Sequence, residues 1–539
     1  MKYFHSVCFL ALSVVGLNSA LAQKGVDAVT INQIADEGFN HGQVVSLAAH
    51  LTDQIGARLT NSPSMRKAEK WTQQMFREWG LKDVHAEAFE FGRGWWIESA
   101  QSRMVSPRSL ALRSIPIAWT PATRGPVTAQ IIVAPIRHLR DLEKWKGKLK
   151  DKIVLVSFPN APKDETTGSF NRFDDGALGK LNVFQAPAFD PEATPDMINK
   201  YYEITKGMRS FMAAEGAVAL VHMSRHDHGL VHGEGYSFKA GETPKLPEIE
   251  MAAEDYRRLA RLAKVGEVKL EIDSRVHFED ADLNGYNILA DIPGKDPKAG
   301  YIMAGAHLDS WVAGDGATDN GAGTVVIMEA ARILASLPVK PKRTIRFALW
   351  SGEEQGLLGS TAYIERHLAT RPRPSDPVLA SYPQSDWGGT YPVTPLAGFN
   401  DLAGYFNLDN GSGKIRGIYA EGNFAAIPML STWLAPFESM GASKVVVQKT
   451  GGTDHEMMAE IGLPAFQFIQ DPLDYFSKVH HTNLDTFDHL RTEDLRQAAV
   501  IMATVLLQAA ESDKPIPRGV LPRKPSPTDP FQYRDPKKD

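Results

Sequence analysis

The feature that most constrains this chain is a regular alternation that begins at Tyr286 and continues to about residue 512. Short apolar runs of strand length (287–291, 301–306, 344–350, 404–408, 444–447 and 465–469) are interleaved with longer segments of helical period (323–337, 357–367, 425–440 and 493–512). Strands joined by helices of this length need crossover connections, so their sheet must be largely parallel and covered on both faces. The expected fold class is α/β, three layers deep, with a mixed, mostly parallel sheet.

Upstream, the segment 44–81 has a helical pattern: Ala68, Trp71, Met75 and Trp79 recur at helical spacing, Asn61-Ser62-Pro63 supplies a start and Gly80 a stop. After Pro116 the texture changes to β-rich runs at 127–133 and 153–158, then a helix-like 201–215 leading into 217–221. This reads as a smaller α/β unit ending near Asp280. At roughly 150 residues per domain, a chain of 539 would hold three or four units. The patterning instead gives one discontinuous domain, 23–115 with 281–512, interrupted by an inserted one at 116–280. The connection 370–401 is rich in Pro and carries Tyr382, Trp387 and Tyr391. Structureless loops beyond about 15 residues inside compact domains are usually functional or disordered. The tail 513–539 holds seven prolines and reads as an extended strap.

The first residues read as a leader. A short basic start with Lys2, an apolar run at 7–17 and Ala20-Leu21-Ala22 give the small-x-small cleavage pattern, predicting export to the periplasm or exterior with cleavage before Gln23. The run is too short to span a bilayer, which needs about 20 apolar residues, so no membrane association is expected after cleavage. Cys8 is the chain's one cysteine and leaves with the leader, so disulfides and thiolate zinc sites are excluded. A formal net charge of -5 offers no surplus of cations for phosphates, which argues against nucleic acid as a partner.

In an α/β sheet, sites form where strands end. The strand at 301–306 ends in His307-Leu308-Asp309-Ser310, and the next loop carries Asp315 and Asp319-Asn320-Gly321. The strand at 344–350 ends in Ser351-Gly352-Glu353-Glu354, that at 404–408 in Asp409-Asn410-Gly411, and 465–469 is followed by His480-His481-Thr482. A lone member of this set would be a helix cap or turn residue. Five loops delivering imidazole and carboxylate to one sheet edge make a metal inventory suited to zinc. Adjacent Glu353 and Glu354 point in different directions, so one can ligate while the other faces a bound water. Asp319, Glu354, Asp409 and a bridging hydroxide together balance two divalent cations. Asp309, close after His307, fits a carboxylate that orients the imidazole. The cluster His222, His226, His228 and His232 lies beside Gly229 and Gly233 and reads as a solvated loop rather than a second metal site.

The series His307-Leu308-Asp309-Ser310-Trp311, Gly314-Asp315-Gly316-Ala317, Asp319-Asn320-Gly321-Ala322-Gly323, Glu353-Glu354-Gln355-Gly356, Asp409 and His481-Thr482 resembles the co-catalytic zinc exopeptidases of clan MH. Residues 51–58, Leu-Thr-Asp-Gln-Ile-Gly-Ala-Arg, extend the likeness toward the carboxypeptidase Q branch, whereas Gly451-Gly452-Thr453-Asp454-His455 resembles the aminopeptidase branch. The resemblance implies a phosphorylase/hydrolase-like fold, with 116–280 as a protease-associated domain. It implies two zinc ions per chain, one held by His307 and Asp409, the other by Glu354 and His481, with Asp319 bridging and a cis peptide after it. Glu353 would be the general base of a peptide hydrolysis performed by a metal-bridged hydroxide. Thr453, Asp454 and His455 would contact substrate or support the ligands. Substrates would be peptides or dipeptides cleaved near a free terminus, by an aminopeptidase or a carboxypeptidase Q-like dipeptidase, and a homodimer is compatible with this reading. The alternatives are a glutaminyl cyclase on a similar fold and a non-catalytic, receptor-like relative.

Overall fold

The computed structural model describes residues 26–162, 168–185, 193–241, 244–387 and 389–524. The expected leader and the last part of the Pro-rich tail lie outside these residues.

The alternation from Tyr286 builds an eight-stranded sheet. Its centre is four parallel strands, Thr344–Trp350, Tyr301–His307, Leu402–Asn407 and Ala465–Gln470 in spatial order. Antiparallel pairs flank both sides, Asn284–Ile292 on Thr344–Trp350 with Lys82–Glu90 antiparallel outside it, and Ile415–Tyr419 on Ala465–Gln470, beyond which Lys444–Val446 pairs in parallel. The sheet is therefore mixed and parallel at its core, as the periodicity required. Two of its strands, Lys82–Glu90 and Ile415–Tyr419, had no sequence counterpart. The burial of Lys82–Glu90 is irregular, and Ile415–Tyr419 is split by Gly417, whose Cβ would meet the Lys444 carbonyl at 1.9 Å. Neither therefore shows the clean alternation that marks a strand.

Helices Ala322–Ser336 and Thr492–Glu511 are buried along almost their whole length against one face of this sheet, with Ala28–Asn40 and Val44–Ala49 packed around them. Helices Leu358–Tyr363 and His455–Glu460 cover the other face. The expected helix at 357–367 starts at Leu358 and widens into a π turn at Ile364–Leu368, and that at 425–440 ends in a 3-10 turn, Ala435–Met440.

A second eight-stranded sheet is inserted in sequence between Lys82–Glu90 and Asn284–Ile292. Its long antiparallel pair, Gly94–Ser106 with Lys269–Glu279, carries the chain out and back, so the sheet begins upstream of the texture change at Pro116. The two sheets share an apolar cluster of Leu59, Phe89, Trp95, Trp119, Phe238 and Trp311. The connection 370–401 is a chain of short 3-10 turns that buries Trp387, and Tyr382 stacks on Tyr202 of the second unit at 4.3 Å.

Candidate active site

The four parallel central strands end on one edge, and His307 is the final residue of its strand. From that edge the expected ligands converge. His307 Nε2 lies 3.3 Å from Asp319 Oδ1 and 3.6 Å from Asp409 Oδ2. His481 Nε2 lies 3.0 Å from Glu354 Oε2 and 3.2 Å from Asp319 Oδ2, so Asp319 stands between the two imidazoles. Glu353 Oε2 is 3.9 Å from His307 Nε2, with its carboxylate on the wall of the adjoining cleft. The Asp319–Asn320 peptide bond is cis, as the resemblance implied.

Local sequence explains the placement. Arg58, fully buried, donates to the carbonyls of Gly56 (3.0 Å), Leu308 (2.7 Å), Asp315 (2.7 Å) and Gly316 (2.7 Å), so the 51–58 motif holds the loop that connects His307 to Asp319. Burial lowers the Arg58 pKa to about 10, with Asp485 and Asp309 opposing, so the guanidinium stays charged. The buried Asp485 carboxylate accepts from Thr318 N and Oγ1, each at 2.6 Å, and from Asp319 N at 3.1 Å. Asn320 Nδ2 donates to the Leu408 carbonyl at 3.0 Å, tying this loop to the strand end that bears Asp409. Gly323 is required there: a Cβ would stand 2.3 Å from the Leu408 oxygen. His481 has φ +62° and Asn410, which lines the same cleft, φ +80°, both in the left-handed region.

Two expectations need correction and a third is narrowed to one of its alternatives. His307 Nδ1 bonds the backbone oxygen of Asp309 at 3.0 Å, while the Asp309 carboxylate is 3.7 Å away and accepts instead from Thr60 Oγ1 and from the amides of Glu353 and Glu354. Asp309 thus orients the imidazole through its main chain and the paired glutamates through its side chain. Thr453, Asp454 and His455 are fully buried, so they do not touch substrate. Thr453 Oγ1 accepts from Asn407, which also bonds Gln467, and Gln467 Nε2 holds the Asp409 carbonyl at 2.8 Å. His455 faces Glu421 at 3.2 Å. The histidine-rich loop is partly core: His232 is buried on Glu250 at 2.7 Å and His222 lies on Glu248 at 3.0 Å. Among the described residues these histidines form no three-donor cluster.

Glu234 belongs to the site without any signal in the sequence. From the second unit it reaches 2.6 Å to His481 Nδ1, across 247 residues of sequence, a separation at which no local spacing signals contact.

The donor set fits divalent cations. With both Nδ1 atoms bonded, each imidazole presents Nε2 toward the carboxylates, and His307 Nε2, Asp319 Oδ2 and Glu354 Oε1 are buried without a hydrogen-bond partner. Burial raises the Glu354 pKa to about 8 against the pull of His481, and drives that of Glu353 well above the usual carboxylate range. Burial is outweighed at His307 by Glu353 and Asp409, and at His481 by Glu354, Asp319 and Glu234, which hold both imidazoles well above their ordinary value. Protons stand here for the positive charge that a cation would supply. His480, which stacks on His481 at 3.7 Å, is farther from Asp319, at 3.8 Å.

Fold and site together point to a metal-dependent hydrolase, with its candidate donors at the carboxyl edge of the four parallel strands. The sequence profile of Peptidase family M28 matches residues 287–506. Carboxypeptidase Q of Mus musculus is 24% identical over 96% of this chain and 100% of its own length. Among solved structures, a peptidase M28 precursor from Shewanella amazonensis superposes with a TM-score of 0.64 at 24% identity, covering 92% of this chain and 99% of the other. BSAP, a zinc aminopeptidase from Bacillus subtilis, superposes with a TM-score of 0.54 at 19% identity, covering 89% and 97%. Residues 287–506 are thus similar to peptidase family M28, and the chain is a metallopeptidase.

Proposed function

We propose that this metallopeptidase is a zinc-dependent exopeptidase that hydrolyses short peptides at a free amino terminus. His307 and Asp409 would hold one ion, Glu354 and His481 the second, and Asp319 both. When bound, zinc supplies the Lewis acidity that acidifies a water and polarises a carbonyl. Glu353, beside these residues on the cleft wall, is placed to take the proton of the attacking water and pass it to the leaving amine. The unit containing the second sheet would be a protease-associated domain that walls the cleft with Tyr202, Glu234 and Tyr236. The leader motif supports export, and no helix among the described residues is long and apolar enough to cross a membrane.

The observation that carries the choice of terminus is the charge of this cleft, a cavity of about 630 Å³. Its lining residues include Asp386 and Glu456 beyond the metal site, and no Lys or Arg is among the described residues that line it. Asp386, on the 370–401 connection, is half-buried, and burial alone raises its pKa. Such a carboxylate suits a substrate ammonium and repels a carboxylate. A carboxypeptidase Q-like dipeptidase is the second reading, favoured by relatives that align over their full length. An amino-acid arylamide, an unblocked dipeptide, an N-blocked dipeptide and a C-amidated peptide, assayed with zinc and then with chelator, test both. Cleavage of the arylamide and the amide supports the first reading. A strict need for a free carboxylate overturns it.

A further inference from the structure

We infer that Glu234 is a positioning residue of the metal centre, and that retention of one of the two ions depends on the second unit; this rests on the proposed role of His481 as a ligand. A neutral imidazole offers one lone pair, and which nitrogen carries it is set by the bond the other nitrogen makes. At His481, Nε2 faces Glu354 and Asp319, so Nδ1 must hold the proton. Its acceptor is Glu234 Oε1, at 2.6 Å.

Glu234 is itself fixed. Arg225 donates to both of its carboxylate oxygens, at 2.8 and 2.7 Å. The loop that bears it is pinned to the His481 loop by a reciprocal pair of bonds, Val231 N to Asn483 Oδ1 at 2.9 Å and Asn483 N to Val231 O at 3.1 Å. Trp311, from the loop after His307, contacts both Tyr236 and His481, with ring centroids 5.6 and 6.0 Å apart. The other histidine is supported differently, because His307 Nδ1 bonds the carbonyl of Asp309 in its own loop. One half of the centre is thus self-supporting, and the other is completed across the interface between the two units.

The test uses the full chain, stripped with chelator and titrated with Co²⁺ while its visible absorption is followed. Glu234→Leu should weaken one of two cobalt equivalents by about 10–100-fold, the range for loss of a group that orients a ligand, and leave the other unchanged. Should this variant not fold, the double variant Glu234→Leu/Arg225→Met, which also removes the orphaned guanidinium, carries the measurement. Unchanged binding of both equivalents, or equal loss of both, overturns the inference. His481→Ala is the control: two tight equivalents in that variant would refute the ligand assignment itself, not the role of Glu234.

Discussion

At the scale of single residues, adjacency in sequence concealed a division of labour. Glu353 and Glu354 share one tight loop, with both amides on Asp309, yet Glu354 turns to His481 and Glu353 to the cleft. Glu353→Gln keeps size and shape but cannot accept a proton. It should lower kcat by about 10²- to 10⁴-fold while zinc content by metal analysis is unchanged. Asp386→Asn should instead act on binding, raising KM for an unblocked dipeptide with little change in kcat, and leaving an N-acetylated substrate unaffected. Equal effects on blocked and unblocked substrates would remove Asp386 from amine recognition. The acids and imidazoles at the strand ends were legible in sequence because strand ends define a sheet edge. For Thr453, Asp454 and His455 the sequence left two roles open, because a polar loop triplet looks the same whether it faces substrate or supports the buried Asn407–Gln467 network.

At the scale of elements, the periodic parts of the chain were the readable ones. The helices at 322–336 and 492–511 and the four central strands each have length and period enough to declare themselves. Lys82–Glu90 and Ile415–Tyr419 depend on their partners for definition, and the start of the second sheet at Gly94 is set by pairing with Lys269–Glu279, far along the chain. The 51–58 motif shows how an element can matter without touching substrate. Arg58 satisfies four carbonyls that, once buried and unpaired, would each cost about 1–3 kcal/mol. Arg58→Ala should therefore destabilise the protein by about 3 kcal/mol or more in denaturant unfolding, with loss of zinc as the His307–Asp319 loop relaxes. Arg58→Lys should recover only part of this, because an ammonium cannot reproduce the planar fork. A fully stable, zinc-replete Arg58→Lys would show that charge and not the fork holds the loop.

At the scale of the whole molecule, the two units meet through the shared apolar cluster and through the Glu234–His481 bond, so the stability of the second sheet bears on the site. That sheet buries two carboxylates on strand Glu248–Met251. Burial alone would raise both pKa values, but His222 and Arg209 at Glu248, and His232 at Glu250, outweigh it and lower them. The linkage has a definite sign. A carboxyl whose folded pKa lies below its unfolded value contributes stability that is complete above the unfolded pKa and is lost as pH falls through the folded one. The Glu250 carboxylate also accepts from the amide of Gly233 at 3.0 Å, next to Glu234, so its protonation should loosen the loop that reaches His481. The melting temperature should therefore fall as pH drops below the usual Glu value of about 4.3. Glu250→Gln should be less stable than the parent at pH 7, by about 1–3 kcal/mol, and its melting temperature should decline less steeply in acid. Parallel acid profiles for the two proteins would show that this carboxylate does not carry the linkage.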